Sequence, residues 1–219
     1  MRINADFSKT AMVASGDQEW IHSPEHGVDR IMLDRIGEEV ARATSIVRYA
    51  AGSQFARHEH AKGEEFLVLD GVFSDEHGDY PTGTYVRNPP GSGHSPFSTD
   101  GCRIIVKLRQ FDPEDLTPVV IDTNDEQQWQ SGEPAQIACA KLHQFGREEV
   151  QMLRISAGGE YSKIAGRGGL ECLVVSGAVE FDGERLDVDS WLRLPPGACL
   201  RLGALEPTAL WVKSGHLPV

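Results

Sequence analysis

The chain has 219 residues, 40% of them hydrophobic and 25% charged, and a formal net charge of −12. This composition can build a packed core, while the acidic balance excludes a basic nucleic-acid surface and attraction to anionic membranes. No apolar run approaches the roughly 18 residues of a membrane span, and the first residues lack the apolar stretch of a secretory signal, so a cytoplasmic location is expected.

Residues 1–45 form an approach that contains Trp20, Pro24 and Gly27, with a strand predicted over 28–36 and a turn at Gly37. Residues 43–50 alternate and are rich in β-branched side chains, which predicts a strand ended by Ala51-Gly52. Phe66-Leu-Val-Leu reads as a buried strand closed by a tight turn at Asp70-Gly71. Val72–Asp79, Thr84–Arg87 and Cys102–Leu108 are further strands, and residues 111–118 read as a linker. Many short strands punctuated by Gly and Pro, with no sustained helical period, predict an all-β sandwich or barrel. The four cysteines, Cys102, Cys139, Cys172 and Cys199, lack paired spacing and read as reduced, mostly buried thiols.

The chain then repeats itself. Val47-Arg-Tyr-Ala-Ala-Gly52 parallels Leu153-Arg-Ile-Ser-Ala-Gly158, Glu65–Gly71 parallels Glu171–Gly177, and Asn88-Pro-Pro-Gly91 parallels Leu194-Pro-Pro-Gly197, all at an offset of 106 residues. Trp129 resembles Trp20. Three separated anchors at one offset mean two copies of one β unit. The expected domains are residues 1–112 and residues 113–219.

Chemistry concentrates in the first copy. His58 and His60 are two apart, so on a strand they share a face. A short Ala-Lys-Gly loop leads to Glu64, and Pro-Pro-Gly-Ser-Gly turns the chain to present His94. Three imidazoles and a carboxylate on neighbouring strands form an N/O donor set for one divalent metal, Zn2+ or Fe2+, with Mn2+ and Ni2+ as further candidates. In the second copy the same positions are Ile164, Gly166, Leu170 and Leu200, none of which ligates metal. The second unit is therefore expected to lack the metal.

Gly52, His58, His60, Glu64 and Gly71 fit the first sequence motif of the cupins, and Gly83, Pro89, Gly91 and His94 fit the second, with Ser98 where an Asn usually closes it. The chain thus resembles a bicupin, which implies two tandem jelly-roll barrels (a double-stranded β-helix) with the metal inside the first. The stretch from His58 to Pro90 is similar to the cupin domain of ChrR-type anti-sigma factors, and that resemblance implies His58, His60, Glu64 and His94 as ligands. Those factors grip the sigma factor with a helical zinc domain, and no His/Cys cluster of that kind precedes residue 50. Three functions follow as expectations: a regulatory or stress-sensing metal module with a sigma factor or other regulatory protein as partner, a non-haem Fe(II) dioxygenase cleaving a β-diketone or hydroxyaryl ketone, and a small-molecule binding protein without turnover. The class also implies a homodimer. Glu65, Tyr85, Arg87, Arg103 and His77 are the candidates for pocket or ligand-supporting roles. Glu65 should face away from Glu64 and pair with an Arg, and His77 lies in a polar loop.

Overall fold

A computed structural model describes residues 1–132 and 135–218. The fold is antiparallel β throughout; the helical content among these residues is two short 3-10 turns, Ser15–Asp17 and Glu126–Gln128. No helix among the described residues is long and apolar enough to cross a membrane.

The chain divides into two compact units, and the division is not where the sequence places it. The first unit comprises residues 1–5 and 19–124, the second residues 6–18 and 125–219. Hydrogen bonding gives the reason. Val119–Asp122, expected in the second domain, pairs with Thr84–Asn88 of the first unit. Ala11–Val13, expected in the first domain, pairs with Trp191–Leu194 of the second. The predicted linker is likewise anchored in the first unit: Asp115 is buried and accepts from Arg87 at 2.7 Å, and Phe111 stacks on the Arg87 guanidinium.

In the first unit the main sheet runs Arg2–Ile3, Val28–Gly37, Ala41–Tyr49, Cys102–Leu108, Glu64–Asp75, Thr84–Asn88 and Val119–Asp122. Alternation assigns its faces. Phe66, Val68, Val86, Ile104 and Val106 point into the barrel core with Val28, Val47 and Phe73, and Tyr49 and Phe55 pack against them. Glu64–Asp75 does not stop at Asp70-Gly71, as the turn signal suggests. It continues through a bulge opposite Arg103 and Ile104. Gly71 permits this with φ +71°, in a place where a Cβ would clash with the carbonyl oxygen of Gly101.

The second unit repeats the plan. Leu170–Ser176 carries a bulge in the matching place, followed by Gly177 at φ +75°. A seven-stranded sheet faces the four strands Glu160–Ile164, Cys199–Ala204, Ala178–Phe181 and Glu184–Asp187, and both contribute to one apolar core. The Trp correspondence also holds: Arg48 stacks on Trp20 and Arg154 on Trp129. All four cysteines are free; Cys102 and Cys172 are buried, whereas Cys199 is exposed because its strand turns it outward.

Candidate metal centre

Two short strands, His58–His60 and Ser92–His94, pair antiparallel so that His94 lies opposite His58 and Ser92 opposite His60. The first residue of Glu64–Asp75 brings Glu64 against them. One ligand atom from each of His58, His60, Glu64 and His94 lies within 4.8 Å of every other. His60, Glu64 and His94 are buried, and His58 is exposed. The three imidazole centroids are 4.7 to 5.1 Å apart.

Each imidazole is oriented from behind. Nδ1 of His58 faces the carbonyl of Ala56 at 3.2 Å, Nδ1 of His60 faces Ser92 Oγ at 3.1 Å, and Nδ1 of His94 faces Asp75 Oδ2 at 2.9 Å. The Ala56 carbonyl and the Asp75 carboxylate can only accept and so place the proton of His58 and His94 on Nδ1, the Ser92 hydroxyl is able to accept from His60 in the same way, and this arrangement leaves Nε2 lone pairs for the centre. Glu64 Oε2 accepts from Asn88 Nδ2 at 3.1 Å and lies 3.3 Å from His60 Nε2 and 3.4 Å from His94 Nε2. Those two Nε2 atoms are buried without a hydrogen-bond partner. Burial, the largest influence, pushes the His60 pKa down, which favours the neutral imidazole a metal requires. Orphaned, converging nitrogen donors beside a carboxylate fit a divalent cation.

The other expected residues lie elsewhere. Glu65 faces the reverse side of the sheet from Glu64, as alternation requires. There it accepts from Tyr85 Oη at 3.0 Å and Arg87 at 2.9 Å, all three being at most 1% exposed. Tyr85 and Arg87 thus serve a buried ion-pair cluster and not the centre. Arg103 lies opposite Asp70 and Arg48 in the sheet and is not part of the cavity wall. His77 is exposed and helps only through its backbone, whose N–H donates to Asp75 Oδ1 at 2.8 Å. Asp75, Ser92 and Asn88, which orient the donors, were not among the expected site residues.

The donors open onto a cavity of about 470 Å³ in the first unit. Val47, Tyr49, Phe55, Val106 and Leu108 give it apolar walls. In the second unit Leu170 and Leu200 are fully buried in the apolar core, and Ile164 points out to solvent. Carbon fills the space that the donors surround in the first unit.

Residues 8–112 match the family described as the ChrR cupin-like domain. These residues are therefore similar to a ChrR-type cupin domain. Solved cupin-fold structures resemble the whole chain. A candidate dioxygenase from Nostoc punctiforme PCC 73102 aligns with TM-score 0.76 at 15% identity, covering 96% of this chain and 84% of that one. The bacterial pirin of Escherichia coli, solved in complex with nickel(II), aligns at 0.68 with 14% identity, covering 96% and 99%. A variant of salicylate 1,2-dioxygenase from Pseudoaminobacter salicylatoxidans aligns at 0.61 with 15% identity, covering 79% and 71%. At these identities the likeness establishes the fold: two cupin units in tandem. No curated protein sequence matches the chain.

Proposed function

We propose that this cupin is a metal-dependent small-molecule site. His58, His60, Glu64 and His94 hold one divalent cation, and the ligand occupies the adjoining cavity. The observation that carries this reading is the opening of the four donors onto a cavity of about 470 Å³ walled in part by apolar side chains. Such a cavity matches the size and lining of small-ligand pockets, whereas a purely structural zinc is closed off by its ligands.

A bound divalent metal supplies Lewis acidity at a ligand oxygen. The chain's own residues do the rest. Ala56, Ser92 and Asp75 fix the imidazoles, Asn88 fixes Glu64, and the apolar side chains of the wall offer the bound molecule a hydrophobic contact surface. A regulatory module of the ChrR type would use the same occupancy as its signal.

The same opening favours a second reading, a non-haem Fe(II) dioxygenase acting on a β-diketone or hydroxyaryl ketone. Four protein donors leave two positions on an octahedral ion, and an oxygenase needs both. Metal content measured on protein purified anaerobically, without a metal-affinity column, separates the readings. About one metal per chain is expected. Iron, with oxygen uptake on adding β-diketones or hydroxyacetophenones, supports the dioxygenase. Zinc without oxygen uptake supports the binding module. Absence of any metal overturns both.

A further inference from the structure

Four arginines line the cavity wall, Arg30, Arg35, Arg57 and Arg109, and two of them share one strand. Arg30 and Arg35 come from one strand, Val28–Gly37. Five residues apart, they would point to opposite faces of a regular strand. The register shift between Met32 and Asp34 adds one residue and returns Arg35 to the barrel side. Arg30 then lies opposite Val47 and Arg35 opposite Ala43, and both line the cavity that holds the four metal donors.

Among the described residues, neither guanidinium pairs with a buried carboxylate. Arg35 is only 4% exposed and donates to the backbone carbonyl of Glu38. Arg30 has its Nε buried without a hydrogen-bond partner, and one terminal nitrogen 3.5 Å from Glu39, a side chain 66% exposed. Apart from Glu64, the carboxylates on the cavity wall are Glu25, Glu39 and Glu59, all of them exposed. The two cations are also close enough to disfavour one another: burial first, then Arg30, hold the Arg35 pKa below its usual range against the weaker opposing influence of Glu39 and Glu38. In a chain of net charge −12 these are two guanidiniums gathered on one side of a partly dry cavity. Buried charge of this kind calls for a counter-charge, and a guanidinium fork matches a carboxylate best.

We infer that the cavity takes a small organic acid, with its carboxylate on Arg30 and Arg35 and its apolar body between Val47, Phe55 and Leu108. The inference deepens the proposed function by naming the ligand class, and it rests on that reading only for the end of the ligand that faces the metal.

The test is calorimetric titration of the full chain with benzoate and with its neutral isostere benzamide, on metal-loaded and metal-free protein, with metal content measured on the same samples. Benzoate is expected to bind at least about tenfold more tightly than benzamide, the value of one charge-assisted contact. Arg35→Gln and Arg30→Gln should each remove about that factor for benzoate and leave benzamide unchanged. Arg35→Lys should retain part of it. The less buried Arg30 provides the reading if Arg35→Gln does not fold. Equal affinity for the two probes, or benzoate binding indifferent to both arginines, overturns the inference while a full metal content leaves the metal reading standing. Arginine-dependent benzoate binding in a protein that takes up no metal upholds the inference and overturns the metal reading.

Discussion

Asp75 Oδ2 lies 2.9 Å from Nδ1 of His94, with both side chains buried. The other carboxylate oxygen of Asp75 accepts from Tyr80 Oη at 3.2 Å and from the His77 N–H at 2.8 Å. The carboxylate is therefore held from one side and fixes the imidazole from the other. Asp75→Asn keeps the size, and its Oδ1 can still serve Tyr80 and His77. Its amide nitrogen then faces Nδ1 and favours the tautomer with the proton on Nε2, where the metal must bind. Metal affinity should fall by about 10- to 100-fold, the usual cost of losing a partner behind a ligating histidine. Competition against a chelator of known affinity measures this; unchanged affinity would show that Asp75 does not set the tautomer.

His60→Ala removes one nitrogen donor from a set of four and should abolish most bound metal. The corresponding position in the second unit is Gly166, where a Cβ meets nothing within 4 Å. Gly166→Ala should leave the metal content at about the wild-type level. Elemental analysis of both variants against wild type decides the assignment, and full occupancy in the His60 variant would mean that the ligands lie elsewhere.

The ligands were legible because each sits next to a turn, where loop length alone fixes which residue arrives at the centre: Ala-Lys-Gly before Glu64, Pro-Pro-Gly-Ser-Gly before His94. The residues behind them were not. Asp75 is eleven positions from Glu64, an odd number, so simple alternation puts it on the opposite face. The bulge that follows Val68 shifts the parity and brings it inside. Arg30 and Arg35 were hidden by the same device, at Met32 and Asp34. A bulge leaves little mark on hydrophobic alternation, since both faces of this sheet bury side chains. The unit boundary was hidden for a different reason. Ala11–Val13 and Val119–Asp122 are edge strands assigned by pairing partners remote in sequence, Trp191–Leu194 for the first and Thr84–Asn88 for the second. The repeat itself was legible and extends further than its three anchors. Glu65, Tyr85 and Arg87 correspond to Glu171, Trp191 and Arg193, and Trp191 Nε1 donates to Glu171 at 2.7 Å as Tyr85 donates to Glu65.

That cluster predicts a separation of stability from metal binding. Glu65 is 1% exposed and neutralises Arg87, which is itself shared with Asp115. Glu65→Ala leaves part of a buried guanidinium uncompensated, a change that costs about 3–5 kcal/mol. Denaturant unfolding of the first unit should report a loss of that order, while the folded fraction keeps its full metal content. A loss of metal at unchanged stability would return Glu65 to the centre.

The second unit offers the reverse test, because its core occupies the place of the site. Leu200, the counterpart of His94, is fully buried among Leu170, Leu194 and Val212. Leu200→Ala opens a cavity there and should cost about 2–5 kcal/mol, with the spread set by how far the neighbours can close the gap. Metal content should remain at the wild-type level, since no donor is touched. Leu200→His restores the imidazole alone and leaves its partners as Ile164, Gly166 and Leu170. A single donor in an apolar core gains no ion and buries a polar ring without acceptors, so this variant should be destabilised at least as much and bind no second metal. A second equivalent of metal in Leu200→His would show that the unit retains donors beyond the four aligned positions. Unaltered stability in Leu200→Ala would mean that the leucine does not fill the core as its burial indicates.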